Sequence, residues 1–164
     1  MMGAANIHMH PILENTLMLN LSNGLDETLR TMAQVTCVFE RSFNAINWKA
    51  SGDYSVYLEI KTSDVTGQIR FHFPYNALIG IWQAMTGEKT VPGEPDIIDV
   101  VGELSNVCYG IAKGRLNREG YSLGMALPNP GKSVNLPLLE SGRPNMIIPF
   151  KVFSETCYIQ IVIL

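Results

Sequence analysis

Apolar and polar positions along the chain change period several times, and each change marks an element. Leucines recur at 13, 17, 21, 25 and 29 and the run ends in Met32, which predicts a helix over residues 11–34 with one apolar stripe. Pro11 suits its first turn. Ser22-Asn23-Gly24 interrupts the run, and the sequence leaves one helix or two open. Weak strand material follows at 35–39 and 45–49. The period then falls to two: Tyr54, Val56, Leu58 and Ile60 alternate with Ser55, Tyr57, Glu59 and Lys61, and Ile69, Phe71 and Phe73 alternate with Gln68, Arg70 and His72. The short 63–67 link predicts an antiparallel hairpin. Residues 75–86 read as a helix closed by Gly87 at C′. A Pro-rich loop leads to the longest helix, 96–119, with Pro95 at its entry and Gly120 at its exit. Extended segments are expected at 121–127, 133–139, 145–151 and 156–163, with a Pro- and Gly-rich loop after the first. The last is apolar on both faces and belongs in the middle of a sheet. Helices and strands are segregated, which predicts an α+β fold with a largely antiparallel sheet packed against long helices. No repeat or linker divides the chain, so residues 1–164 are expected to form one domain.

Composition narrows the function classes. Of 164 residues, 46% are hydrophobic and 16% charged, a balance that excludes intrinsic disorder. A net charge of -3 and a pI of about 5.6 argue against a general nucleic-acid binder, which needs a basic stripe. So few charges imply that part of the surface is covered by an oligomer or a partner, with the C-terminal strands candidates for continuing a sheet across a dimer. Residues 1–8 have neither the basic nor the apolar region of a secretory leader, and no apolar run reaches the ~20 residues of a membrane span. No membrane association and a cytoplasmic location are therefore expected. Cys37, Cys108 and Cys157 are odd in number and far apart, consistent with buried free thiols.

The 96–119 helix carries the chemistry. Ile97, Val101, Leu104, Cys108 and Ile111 form an apolar stripe. Asp96, Asp99, Glu103, Asn106, Gly110, Lys113 and Asn117 form a second, polar or small, face. Such a face is commonly plain solvated surface. Two features set this one apart. Asn is a poor mid-helix residue, and Gly in a helix costs ~1 kcal/mol. Gly110 lies one turn beyond Asn106, so a bare patch adjoins a carboxamide and admits another backbone; Gly114 could equally mark a helix-packing seam. Of the ten glutamates, only Glu103 has Asn three residues later, which places an anion and a carboxamide side by side.

Asp99-Val100-Val101-Gly102-Glu103-Leu104-Ser105-Asn106, continuing through Gly110-Ile111-Ala112-Lys113 to Gly120-Tyr121 and Pro128, resembles the signature of the CheC/CheX/FliY chemotaxis phosphatases. Gly67-Gln68-Ile69-Arg70-Phe71-His72-Phe73-Pro74, Gly87-Glu88, Met146-Ile147-Ile148-Pro149-Phe150 and Tyr158-Ile159-Gln160-Ile161 resemble its flanking elements. The likeness covers about residues 53–164, with an echo at 10–16. The CheX branch fits best, because Glu14 is followed by Leu17 and Glu27 by Arg30, so no second Glu-x-x-Asn pair is present.

The resemblance implies a CheC-like fold and a hydrolase that removes the phosphoryl group from the aspartyl phosphate of a CheY-like response regulator. It assigns Asn106 to orienting the attacking water and Glu103 to docking on the receiver's lysine. Asp99, Gly110 and Lys113 would contact the partner. No metal or cofactor is expected on this chain, with Mg²⁺ on the receiver, and the relatives suggest a homodimer. A non-catalytic module of the same fold that docks on a receiver or switch is the alternative.

Other signals are weaker. Gly131-Lys132-Ser133 has the end of a phosphate loop, but Ala126 stands where its first Gly belongs. His8 and His10 read as terminal residues. His72 is expected at the surface or an interface, and Trp48 and Trp82 as core or interface aromatics.

Overall fold

The computed structural model describes residues 11–62 and 66–164, with the side chains of residues 11–14 outside that description, as are His8 and His10. The leucine run folds as a single helix, α1 (Pro11–Ala33). Gly24 does not break it, because the glycine is where α1 crosses a later helix. A Cβ there would stand 3.0 Å from the Cys108 carbonyl oxygen. The helix ends at Gln34, whose φ of 54° turns the chain away. Two short strands follow, β1 (Val38–Phe39) and β2 (Phe43–Ile46), and then the hairpin β3 (Tyr54–Lys61) and β4 (Thr66–Phe73). Helix α2 (Tyr75–Thr86) stops at Gly87, which takes φ 74° and donates its N–H to the Gln83 carbonyl. Helix α3 runs Glu94–Arg118, followed by β5 (Asn129–Lys132), one 3-10 turn (Ser133–Asn135), β6 (Pro144–Val152) and β7 (Glu155–Ile163).

The seven-stranded sheet has the order β1-β6-β7-β4-β3-β5, and β2 also pairs with β6. Every pairing is antiparallel. β7 lies in the interior, as its two apolar faces require. β6 and β7 therefore have neighbours on both sides and cannot continue a sheet into a second copy. Among the described residues the edges are β1 with β2 on one side, and β5 with the Leu58–Lys61 half of β3 on the other. Two expected strands are corrected. Residues 121–127 form no strand, and the segment at 133–139 is a 3-10 turn followed by irregular chain. The strand is Asn129–Lys132 instead, paired to β3. Its Pro130 is tolerated because β5 is an edge.

Alternation assigns the sheet two faces. Val56, Leu58, Ile69, Phe71, Phe73, Ile148, Phe150, Ile159 and Ile161 turn towards the helices. There they join Leu17, Leu21, Leu25 and Leu29 of α1, Leu78 and Ile81 of α2, and Ile97, Val101 and Leu104 of α3. Each such leucine contributes about 2 kcal/mol by leaving water.

The opposite face is polar yet also buried. His72, expected at the surface, is only 2% exposed. Trp48 packs edge-on against it and against Tyr158, at ring-centroid distances of 5.8 and 5.0 Å. Residues 133–143 are pinned across the same face. Ser133 Oγ lies 2.7 Å from Ser55 Oγ, Arg70 Nη2 donates to the Pro137 carbonyl at 2.7 Å, and Gly142 N donates to Asn47 Oδ1 at 2.8 Å.

Beneath this cover a directed hydrogen-bond chain crosses four strands. Asn145 Nδ2 donates to the Arg143 carbonyl, which can only accept. That leaves Asn145 Oδ1 to accept from Gln160 Nε2 and Gln160 Oε1 to face His72 Nε2 at 2.8 Å. His72 therefore carries its proton on Nε2, and Nδ1 accepts from Ser55 Oγ at 2.7 Å. Burial lowers the imidazole pKa from 6.5 to about 4; the Gln160 hydrogen bond opposes the shift and the Arg70 charge adds to it.

Candidate functional site

α3 is built to be rigid. The Gly93 N–H donates to the Asp96 carboxylate at 3.2 Å, Pro95 occupies the first turn, and Arg115 and Arg118 complement the last. Ile97, Val101, Leu104, Cys108, Ala112 and Leu116 are buried. Ile111, expected on that stripe, is half-buried, and Ala112 takes its place. One side of α3 packs on α1 through Gly24, and Arg115 pairs with Glu27 there. Cys108 Sγ lies 3.5 Å from the Leu21 carbonyl. Burial pushes the Cys108 and Cys157 thiols up, and it raises Cys37 to about 12, with the Asp26 carboxylate adding to the effect. All three cysteines are free.

The polar face remains open. Asp99, Glu103, Asn106 and Gly110 are exposed and Lys113 is half-buried. Glu103 and Asn106 stand one turn apart on the same side, with Cβ atoms ~5–6 Å from each other by helix geometry. A Cβ at Gly110 or Gly114 would meet nothing within 4 Å. The seam glycine is thus Gly24 rather than Gly114, and the bare patch at Gly110 faces outward.

The other side of α3 carries a feature that periodicity did not disclose. After Gly120, which takes φ 99°, the chain doubles back along the helix. Asn117 holds Leu123 by both main-chain groups, donating to its carbonyl at 3.1 Å and accepting its N–H at 2.8 Å. Tyr109 Oη donates to the Gly124 carbonyl at 2.8 Å. Pro130 lies on Gly102, 3.3 Å from where a Cβ would be. Asn117, predicted as part of the open polar face, spends its carboxamide on this tether. The signal for Gly102 was a small residue one turn before Asn106, and for Asn117 an amide one turn before the helix stop.

Two cavities are lined by other residues. A cleft of ≈630 Å³ is lined by Asp53, Tyr54, Tyr75, Asn76, Glu94 and Glu155. It adjoins the first residue of α3, ~18 Å along the axis from Asn106. A second, of ≈290 Å³, follows β5 beside Ser55 and Tyr57. Among the described residues no group of three or more His, Cys, Asp or Glu side chains is arranged to hold a metal ion. No helix among them is long and apolar enough to cross a membrane. The arrangement offers a carboxylate and a carboxamide from a stiff convex surface, which suits a site presented to another macromolecule.

The family model described as "Chemotaxis phosphatase CheX" matches residues 55–151, a span that includes most of β3, β4, all of α3 and most of β6. Solved structures share the fold. A CheC-like superfamily protein from Shewanella sp. PV-4 is 27% identical with a TM-score of 0.79, over 91% of this chain and 97% of its own. The chemotaxis protein CheX from Vibrio vulnificus is 23% identical with a TM-score of 0.80, over 90% and 99%. A CheX–CheY–BeF3–Mg²⁺ complex from Borrelia burgdorferi contains a chain 17% identical with a TM-score of 0.70, over 90% and 97%. No curated protein matches the sequence at a significant level.

Proposed function

The chain belongs to the chemotaxis phosphatase CheX family, and from that premise we propose that it hydrolyses the aspartyl phosphate of a CheY-like receiver, engaging it through the open face of α3. The observation that carries this reading is the pairing of Glu103 with Asn106, exposed together on a helix fixed on both flanks. A relative of the same fold, the Borrelia burgdorferi CheX, is found in complex with CheY, which supports a receiver as the partner.

In the reaction, water attacks phosphorus in line with the aspartyl oxygen. The P–O bond to the aspartate breaks, the carboxylate leaves, and inorganic phosphate carries away the water's oxygen and protons. Such a transfer demands positioning and charge neutralisation more than covalent help. The receiver supplies Mg²⁺ and a lysine. Asn106 both accepts from and donates to the attacking water. A carboxamide does not titrate, so it acts by orientation rather than as a general base. Glu103 pairs with the receiver's lysine and sets the register. Asp99 and Lys113 extend the polar contact along α3, and Gly110 leaves room for the partner's backbone. Each tenfold in rate needs only ~1.4 kcal/mol, a scale that one oriented water can reach.

The same reading includes a homodimer. Exposed Val38, Phe43 and Ile46 on the β1–β2 edge support a second copy there, and sedimentation of the wild type against Ile46→Lys tests it.

Phosphate release from a panel of phosphorylated receivers is the direct test. The wild type is expected to accelerate it, Asn106→Ala to abolish the acceleration while still binding, and Glu103→Ala chiefly to weaken binding. Full activity in Asn106→Ala would sink the mechanism. Receiver binding by the wild type without any release would instead identify a non-catalytic docking module.

A further inference from the structure

We propose that residues 123–130 form a docking rail for the receiver, with Met125 and Leu127 supplying the apolar half of a contact whose polar half is Glu103 and Asn106; this rests on the reading of α3 as the receiver-facing helix. Gly102, Asn106 and Tyr109 follow one another at spacings of four and three, so they share one stripe of α3. The strap is fastened at both ends of that stripe, through Pro130 on Gly102 and through the Tyr109 hydroxyl on Gly124. Between these anchors the helix advances ~10 Å. The segment from Gly124 to Pro130 spans up to ~20 Å when extended. It therefore has slack between its two anchors, along the stretch of helix that carries Asn106. Met125 and Leu127 lie between the anchors, 88% and 77% exposed, whereas Leu123 at the fastened end is buried.

Two large apolar side chains held in water by a tethered strap do nothing for the packing of this chain. A partner that brings a reacting group to Asn106 lays its surrounding surface on whatever flanks Asn106, and on this side that is the rail. Methionine is enriched at protein interfaces, and a few buried anchors there carry most of the affinity. Met125 is unbranched and adapts its shape to the surface it meets. The expected occupant is accordingly an apolar patch next to the receiver's phosphorylated aspartate.

The test uses the whole chain carrying Met125→Asp with Leu127→Asp, and a milder Met125→Ala with Leu127→Ala. Steady-state dephosphorylation of a phosphorylated receiver is measured together with calorimetric binding of the beryllofluoride-activated receiver. Both side chains are exposed, so the thermal midpoint should stay at the wild-type value. The Asp pair should raise KM and Kd at least about tenfold with kcat nearly unchanged, and the Ala pair severalfold. Asn106→Ala should show the opposite split, losing kcat while Kd holds. Wild-type KM and Kd in both rail variants would overturn the rail. So would a change in sedimentation with receiver binding intact, which would assign these side chains to a second copy of this chain. A wild type that binds activated receiver but releases no phosphate fails the catalytic reading alone, and the binding comparison still decides the rail. A wild type that binds no activated receiver overturns both.

Discussion

Acidification should remove about 3 kcal/mol of stability through His72 alone. Free histidine titrates near 6.5, and in the folded chain burial lowers this residue to about 4. The folded state therefore favours the neutral ring. At pH 7 both folded and unfolded chains hold it neutral and the contribution is complete. As the pH falls below 6.5 the unfolded chain takes up a proton that the folded chain refuses, and stability drops until the folded pKa is reached. A gap of ~2.5 units at ~1.4 kcal/mol per unit sets a ceiling of ~3.5 kcal/mol, of which about 3 is lost by pH 4, where the folded ring is itself half protonated. Burial of charge is the cost, because the Ser55 and Ser133 hydroxyls can turn to accept a proton donated from Nδ1. The assay is urea unfolding of wild type and His72→Gln at intervals from pH 7.5 to 4. Carboxylates common to both chains cancel in the difference. The wild type should lose about 3 kcal/mol more than the variant, nearly all of it between pH 6.5 and 4. Parallel curves, or an NMR titration of His72 near 6.5, would refute the reasoning.

Two substitutions probe the helix that carries the site. Gly24→Val should destabilise the fold by about 1–3 kcal/mol in chemical unfolding, because its Cβ would stand 3.0 Å from the Cys108 carbonyl oxygen and force α1 and α3 apart. Gly110→Ala should do the reverse, adding up to ~1 kcal/mol since a Cβ there meets nothing within 4 Å. The same alanine should raise KM for a phosphorylated receiver, and a stabilised protein with unchanged KM would show that Gly110 gives no clearance to a partner.

Local grammar made much of this architecture legible. Gly87 and Gly120 mark helix ends in sequence as they do in space, and the alternation around Val56 and Phe71 specifies a hairpin whose partners lie close in the chain. The Glu103–Asn106 adjacency follows from helix arithmetic alone. What escaped is non-local. β5 forms because an edge next to Tyr54 and Val56 accepts Asn129 to Lys132, and no period within a four-residue stretch containing Pro130 announces that. His72 alternates as a surface residue would; its burial comes from Trp48 and from residues 133–143, which fold over it from elsewhere in the chain. Gly24 reads as a helix breaker until α3 is seen against it. The strap at 123–130 has no period at all, since Asn117, Tyr109 and Gly102, all on α3, help to set its path.

Near its start that strap is gripped by its main chain. Asn117 holds the peptide groups of Leu123, and Tyr109 holds the carbonyl of Gly124. Neither anchor reads the side chains at 125 and 127, and those side chains take no part in the core. Folding thus places no demand on their identity. Substitutions can accumulate at these two positions without disturbing the helix behind them or the carboxamide beside them. On the proposed reading of this face, a lineage that duplicates this chain can redirect the copy to a new partner by changing a few outward residues, with Glu103 and Asn106 inherited intact.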